Sequence, residues 1–233
     1  DFKMFGSTRA AITAEEYRIV GGTQSLAVAL GAPLAADIHL EQRAASVGRR
    51  SSGFEVITAD HRVMPADAVI VTIPFNTLHA LDLPFLTDPS LSQASRNGHA
   101  NRSAKHWFDS TKPFESRISA SPTTLAFMDV THTSGCLIKD DKTPAQTAAQ
   151  ALGLPPAHLS SARVHAWTHD ANAQGAWMTL RPGQAAVLDA AWALGAKDPT
   201  FQIANADVSP VWPGWIEGAV YAGHCAAQRL LGD

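Results

Sequence analysis

The C-terminal segment constrains what this chain can fold into more than any other part of it. A short apolar strand with Phe201 and Ile203 leads into a polar turn that contains Asn205 and Asp207. A loop with two tryptophans follows, and then a helix with a face of small residues. This order can bring the positive N-terminal end of a helix and two indole rings against a large flat ligand. The segment therefore predicts one wall of a cofactor site.

Composition indicates a globular chain and argues against several functional classes. The 233 residues are 45% hydrophobic and 17% charged, which is typical of folded proteins. The net charge is -3 and no Lys/Arg-rich run occurs, so we expect neither nucleic acid nor a membrane surface as a partner. No signal peptide and no apolar stretch of membrane-spanning length is visible. Two cysteines are too few for a disulfide framework, so we expect the cytoplasm or another reducing compartment.

Hydrophobic spacing and turn residues predict a mixed α/β chain whose first and last thirds share one domain. Thr23 is expected to cap a helix that Gly31 and Pro33 end. Residues 82–103 are rich in Pro, Ser and Asn, which is typical of loops. A second helix is predicted over 145–152, and strands are predicted over 38–40, 45–49, 53–58, 63–73, 104–108, 125–130 and 163–168.

Lys105 is the residue that we favour most for chemistry. It stands on a predicted strand beside Ala104, Trp107 and Phe108. An amine in apolar surroundings loses its charge more easily, so Lys105 could hold a water molecule or a neutral amine. The alternative is a surface lysine whose stem lies over an indole ring. The local pattern alone favours that alternative.

Trp177 and Trp215 are a candidate pair of parallel rings. Two such rings form a slot that orients and desolvates an amine nitrogen or a flat substrate. A turn with glycine precedes each tryptophan and is expected to leave room for a cofactor plane, on which Trp167 could also pack. The alternative is that these rings belong to small hydrophobic clusters, as loop aromatics commonly do.

Asp207 is a candidate for contacts with sugar hydroxyls. Its carboxylate could accept hydrogen bonds from ribityl or ribose groups, and the helix that follows Trp215 would stabilise negative charge across the loop. The ten histidines have no partners at zinc-ligand spacing, and no G-x-S-x-G motif is present. We therefore expect neither a metal site nor a serine hydrolase.

Several segments, taken in chain order, resemble the flavin-containing amine oxidases, the family of the monoamine and polyamine oxidases. Within this family, the segments most resemble those of the fungal-type monoamine oxidases. The matching segments are RIVGGTQSLAVAL, FEVITADHRVMPADAVIVTIPFNTL, GHANRSAKHWF, the W-x-x-D-x-x-x-x-G-A-W that ends at Trp177, and the terminal A-x-x-D with the W-x-G-aromatic-hydrophobic-E/D-G-A motif that follows it.

The resemblance implies a fold, a reaction and a set of site residues. Residues 18–92 and 170–233 would form part of an FAD-binding domain, and residues 93–169 a reduced mixed-sheet substrate domain. The family oxidises amines by hydride transfer to flavin, with oxygen as the acceptor. FAD would be non-covalent because Ala176 stands where some members have a linking cysteine. The resemblance places Lys105, Trp177 and Trp215 in catalysis, and Val47, Trp167, Ala176, Asn205, Asp207, Trp215 and Ile216 at the cofactor.

One part of the family pattern lies outside this sequence. No G-x-G-x-x-G motif occurs, and the chain begins at Asp1, so we expect a removed N-terminal segment or a second chain to carry that motif. A homo-oligomer is a further expectation. The alternatives to an amine oxidase are a flavin-free derivative that acts as an isomerase or cyclase, and a module that only binds a small molecule.

Overall fold

The structure is a computed structural model that describes residues 19–110, 117–121, 124–128, 133–139, 143–176 and 178–232. The chain divides into two compact units. Unit 1 comprises the described chain up to Thr72, Leu78–Leu91 and the chain from Ala186 onward. Unit 2 comprises Ile73–Thr77 and Ser92–Ala185. The assignment of an FAD-binding and a substrate domain to parts of this chain stays a prediction.

The described residues of unit 1 contain an antiparallel sheet, a pair of parallel strands and several helices. The antiparallel sheet has the order β1-β2-β3, with β1 Ala44–Arg49, β2 Phe54–Thr58 and β3 Val63–Ala66. In the parallel pair, Val69 of β4 (Val69–Val71) lies opposite Phe201 of β10 (Phe201–Ile203). The helices are α1 Gln24–Gly31, α4 Gln184–Lys197, which begins in unit 2, and α5 Ile216–Leu231.

Three aromatic rings form the centre of unit 1. Phe54 and Phe201 have ring centroids 5.9 Å apart, and Phe85 meets Phe201 edge-on at 4.8 Å. The Arg49 guanidinium lies 4.7 Å from the Phe54 ring centroid and forms an ion pair with Asp198. The rings therefore join β2, β10 and the segment before helix α2 (Ser90–Asn97) into one core.

Unit 2 is built on a five-stranded antiparallel sheet with the order β6-β7-β8-β5-β9. One face of this sheet packs against helix α3, and the shared core includes Phe108, Cys136 and Leu152. The bounds are α2 Ser90–Asn97 (begun in unit 1), β5 Ser103–Ser110, β6 Arg117–Ala120, β7 Thr124–Met128, β8 Thr133–Lys139, α3 Pro144–Leu152 and β9 Leu159–His165.

The C-terminal end of α2 is closed by side chains that lie far away in the sequence. Gln184 donates from its side-chain amide to the Ala94 and Gly98 carbonyls, at 3.2 and 3.0 Å. Arg181 donates to the carbonyls of Asn97, Gly98 and His99. These contacts satisfy carbonyls that a helix leaves without partners at its end.

The structure confirms the predicted mix of helices and sheets, the helix over 145–152 and the strands over 45–49, 53–58 and 104–108. The strand predicted over 38–40 is wrong, since these residues lie beside turns and Glu41 has a φ of 60°. The run 63–73 is two strands in two different sheets, β3 and β4. The side chain of Thr23 makes no capping hydrogen bond. Sequence reasoning also missed α2, which lies in the predicted loops, and α4.

Candidate active site

Lys105 lies in the middle of the unit 2 sheet. Its strand β5 runs between β8 and β9, and Lys105 lies opposite Leu137 on one side and His165 on the other. Side chains alternate along a strand, and Phe108 belongs to the core with α3, so Lys105 and Trp107 face away from that helix. The Lys105 Nζ atom lies 5.1 Å from the Trp107 ring centroid, which is cation–π range.

His165 joins Lys105 on this face of the sheet. Its ring centroid lies 3.8 Å from that of Trp167, and its Nε2 atom lies 3.5 Å from the Oδ2 atom of Asp170. Trp167 itself remains 39% exposed. The face therefore gathers an amine, an imidazole, a carboxylate and two indole rings, which can bind a flat or cationic molecule and exchange a proton with it. We call this group, Lys105, Trp107, His165, Trp167 and Asp170, the Lys105 cluster.

Sequence reasoning did not place His165 in the site. The alternation of His165 and Trp167 was visible, but only the register between β5 and β9 puts His165 opposite Lys105. Trp177, the predicted ring partner of Trp215, lies outside the described residues. The slot between these two rings therefore stays a prediction.

Gly175 makes room for a protein side chain. A Cβ atom at Gly175 would overlap the Nδ2 atom of Asn76, which is buried. The Oδ1 atom of Asn76 in turn accepts a hydrogen bond of 2.8 Å from the His99 N–H. The Asn76 amide fills the space on the Cβ side of Gly175, and room for a cofactor plane beside this turn stays a prediction. Ala176 beside it is half-buried.

The terminal segment keeps Asn205, Asp207, Trp215 and Ile216 within one loop and the start of α5. The Asn205 Oδ1 atom accepts hydrogen bonds from the Asp207 and Val208 N–H groups, at 3.0 and 3.1 Å. Asn205 thus shapes the turn that presents the half-buried Asp207. Because the Asn205 Oδ1 atom already accepts these two backbone hydrogen bonds, the role of Asn205 in the turn is structural.

Gly218 lets the tryptophan loop approach the first turn of α5. A Cβ atom there would overlap the Trp212 carbonyl oxygen, and Trp212 has a φ of 51°. Trp215 is the residue before α5 and gives no side-chain hydrogen bond to cap it. The loop therefore packs against the first turn of α5, whose free N-terminal amides give this end of the helix a partial positive charge.

The backbone of Val47 is less available to a ligand than the sequence predicts. It is buried in β1, and its N–H donates to the Asp82 carbonyl at 2.9 Å. A contact between the Val47 backbone and a cofactor would have to use the carbonyl oxygen.

The terminal segment offers groups that could hold part of a cofactor. A carboxylate at Asp207 can accept from hydroxyl groups, and the N-terminal end of α5 favours a group that carries negative charge. Within the ranges that the structure describes, no three His, Cys, Asp or Glu side chains come together in a way that could hold a metal ion. In the same ranges, no helix has the length and apolarity needed to cross a membrane.

Comparison with known proteins gives two dehydrogenases among the relatives of this chain. Pseudooxynicotine dehydrogenase of Pseudomonas sp is 26% identical over 226 residues, which cover 89% of this chain and 44% of that protein. Nicotine dehydrogenase of Pseudomonas putida (strain DSM 28022 / S16) is 23% identical and covers 94% of this chain and 48% of that protein. The chain therefore spans about half the length of the curated relatives it matches.

Solved structures of putrescine oxidase share the fold. The wild-type enzyme bound to putrescine matches with a TM-score of 0.72 at 17% identity, over 91% of this chain and 53% of that one. An A394C variant of putrescine oxidase matches with a TM-score of 0.73 at 17% identity, over 93% of this chain and 54% of that one. The family of flavin containing amine oxidoreductases matches residues 2–231, and the chain belongs to that family.

Proposed function

We propose that this chain is the C-terminal part of an FAD-dependent amine oxidoreductase and that the Lys105 cluster is its amine-binding face. Membership of the family over residues 2–231 supports the reaction class. The observation that carries the assignment of the site is the position of Lys105 opposite His165, beside the Trp107 ring. Each of these groups interacts with amines or moves protons.

The Lys105 cluster would bind and orient the substrate. The rings of Trp107 and Trp167 offer apolar faces to an amine and to the carbon chain beside it. His165, next to the Asp170 carboxylate, could take a proton from an incoming ammonium group, which leaves the neutral amine that can be oxidised. Lys105 would hold a water molecule or the substrate nitrogen at the centre of the sheet.

Asp207 and the N-terminal end of α5 would hold the cofactor. The carboxylate would accept hydrogen bonds from its sugar-alcohol chain, and the α5 amides would face its negatively charged edge. Bound FAD would supply the acceptor for the hydride that leaves the carbon next to the amine nitrogen. Asn205 would act through the turn, by fixing where Asp207 lies. The protein residues themselves bind, orient and exchange protons.

The remaining part of the fold would come from another polypeptide segment. The chain covers 44% and 48% of the two curated relatives, which leaves about half of each without a counterpart here. That segment would carry the G-x-G-x-x-G motif and bind the pyrophosphate of FAD. It would be continuous with this chain or separate from it.

Turnover by the native assembly tests this function. The protein would be purified from its source with every polypeptide that accompanies it, then given nicotine, pseudooxynicotine or putrescine. We expect amine-dependent reduction of an artificial electron acceptor, and peroxide as well if oxygen is the acceptor. Lack of turnover on every amine, together with a ligand-dependent isomerisation or cyclisation, would support the flavin-free alternative instead.

A further inference from the structure

Asn76 is a buried amide that lies between two separate parts of unit 2. Its Oδ1 atom accepts a hydrogen bond of 2.8 Å from the His99 N–H, and a Cβ atom at Gly98 would lie 3.2 Å from the same oxygen. Its Nδ2 atom lies where a Cβ atom at Gly175 would be. One side chain therefore packs against the residues that lead into β5 and against a loop about a hundred residues later in the chain.

The loop that Asn76 meets at Gly175 is a closed turn that begins at Asp170. The Gln174 N–H donates to the Asp170 carbonyl at 2.9 Å, and the Asn172 N–H donates to the Asp170 Oδ1 atom at 2.8 Å. Gly175 follows directly and is buried. Because these bonds tie the two ends of the turn together, a shift of Gly175 displaces Asp170 as well.

Asp170 is the carboxylate of the Lys105 cluster. One of its oxygens accepts the hydrogen bond within the turn, and the other, Oδ2, lies 3.5 Å from the Nε2 atom of His165. The position of the turn therefore sets the contact between Asp170 and His165. A buried amide costs free energy unless its polar atoms have partners, and Asn76 finds a partner in the backbone just before β5. Its packing thus fixes the turn relative to the strand that carries Lys105.

We propose that Asn76 is a positioning residue for the Lys105 cluster. It fixes the turn 170–175 against the residues before β5, and so holds the Asp170 carboxylate beside His165. This inference rests on the proposed function, in which the cluster is the amine-binding face. The alternative is a purely structural role, in which Asn76 only secures the chain after α2 through His99. The two roles differ in what a change at Asn76 does to amine binding.

Steady-state kinetics of the native assembly separate the two roles, with whichever of nicotine, pseudooxynicotine and putrescine it oxidises. Asn76→Ala should raise KM at least ten-fold and change kcat less than three-fold, because the amine-binding face is disturbed. Loss of folded protein alone would lower kcat and leave KM unchanged. The matched control is Asn101→Ala, since the Asn101 Oδ1 atom also accepts a backbone N–H before β5, from Ser103 at 2.8 Å. This control should keep KM within two-fold of wild type.

Gly175→Ala tests the same contact from the loop, and keeps the test valid if Asn76→Ala does not fold. The added Cβ atom needs the space that the Asn76 amide fills. In the wild-type background, Gly175→Ala should raise KM at least ten-fold and lower the urea midpoint. In the Asn76→Ala background that space is empty, so the same substitution should change KM less than two-fold and leave the urea midpoint in place. Such non-additivity is expected of two residues that share one contact.

Hydrogen exchange measures the turn in a way that needs no turnover. The Gln174 amide should exchange at least ten-fold faster in Asn76→Ala and in Gly175→Ala, while the amides of the β5–β9 ladder stay unchanged. Unchanged KM in both single variants, additive effects of the two substitutions, an equal rise of KM in Asn101→Ala, or unchanged exchange at Gln174 would overturn the inference. An assembly without flavin or amine turnover would overturn the proposed function instead, and urea unfolding and exchange would then decide whether Asn76 holds the turn.

Discussion

Lys105 and His165 are cross-strand partners on adjacent antiparallel strands, β5 and β9, on the sheet face that turns away from α3. Directly opposite residues in such a pair have Cβ atoms about 4.5–5.5 Å apart. An amine and an imidazole held at that separation can share one ligand. The relationship is fixed by backbone register, so it persists even where the side chains move.

Replacing Lys105 tests whether this pair carries chemistry. Lys105→Met should lower amine turnover in the native assembly by roughly 100-fold, the scale of a misplaced reacting group, without loss of folding. The matched control is Arg163→Met, which removes an exposed cation from the same sheet face and should keep the activity. Steady-state kinetics would decide. Full activity in Lys105→Met, or an equal loss in both variants, would contradict the assignment.

Gly218 should tolerate no side chain because of the Trp212 carbonyl. Gly218→Ala is expected to destabilise the protein by about 1–3 kcal/mol, the usual cost of overpacking, and to shift the tryptophan loop. Gly223→Ala on the same helix has open space and should be neutral or stabilise by up to about 1 kcal/mol. Urea unfolding would measure both. Equal effects of the two substitutions would show that the loop does not lie against α5.

The Asp198 carboxylate should make the free energy of unfolding depend on pH in the acidic range. A hydrogen bond from the Thr200 hydroxyl, and then the Arg49 guanidinium, holds the pKa of Asp198 below its usual value. A carboxyl with a lowered folded-state pKa stabilises the fold above its unfolded-state pKa, and the effect is lost as pH falls toward the folded-state value. Asp198→Asn should cost less than about 1 kcal/mol at pH 7, since the pair is partly exposed. The difference from wild type should shrink below about pH 4, as thermal unfolding across pH would reveal.

The two cysteines should differ in reactivity. Burial raises the pKa of the Cys136 thiol to about 12, and Cys136 packs with Phe108 in the core of unit 2. Cys225 is only partly buried. Iodoacetamide at neutral pH should therefore label Cys225 and spare Cys136, which peptide mass spectrometry would report. Labelling of Cys136 in the native protein would mean that this core opens.

Local patterns predicted several elements well. The strand with Lys105 was found because apolar residues flank a lysine at strand spacing, and α5 was found from its small residues. The run 63–73 was misread as one strand because its apolar residues resume at Ala68, directly after Asp67, where the chain leaves one sheet for another. Asp67 interrupts the apolar run, but one such residue does not show that the strands on its two sides belong to different sheets.

The site depends on contacts between distant residues, which local patterns do not encode. The position of His165 follows from strand register, and the role of Gly175 follows from Asn76, about a hundred residues earlier. Helix α2 was missed because Gln184 and Arg181 stabilise its C-terminal end from elsewhere in the chain. The assignment of Lys105 and the terminal segment to one site came from resemblance to a family rather than from spacing, and it stays a prediction.

An anaerobic absorbance spectrum tests most directly whether this chain forms part of a flavin-dependent amine oxidoreductase. The absorbance spectrum of the native assembly would be recorded before and after addition of one equivalent of an amine that it turns over. If no such amine is known, nicotine, pseudooxynicotine and putrescine would each be added in turn. We predict the visible absorbance of an oxidised flavin, and its loss when the amine is added. A colourless assembly that contains every accompanying polypeptide, or a flavin spectrum that no amine changes, would contradict the account.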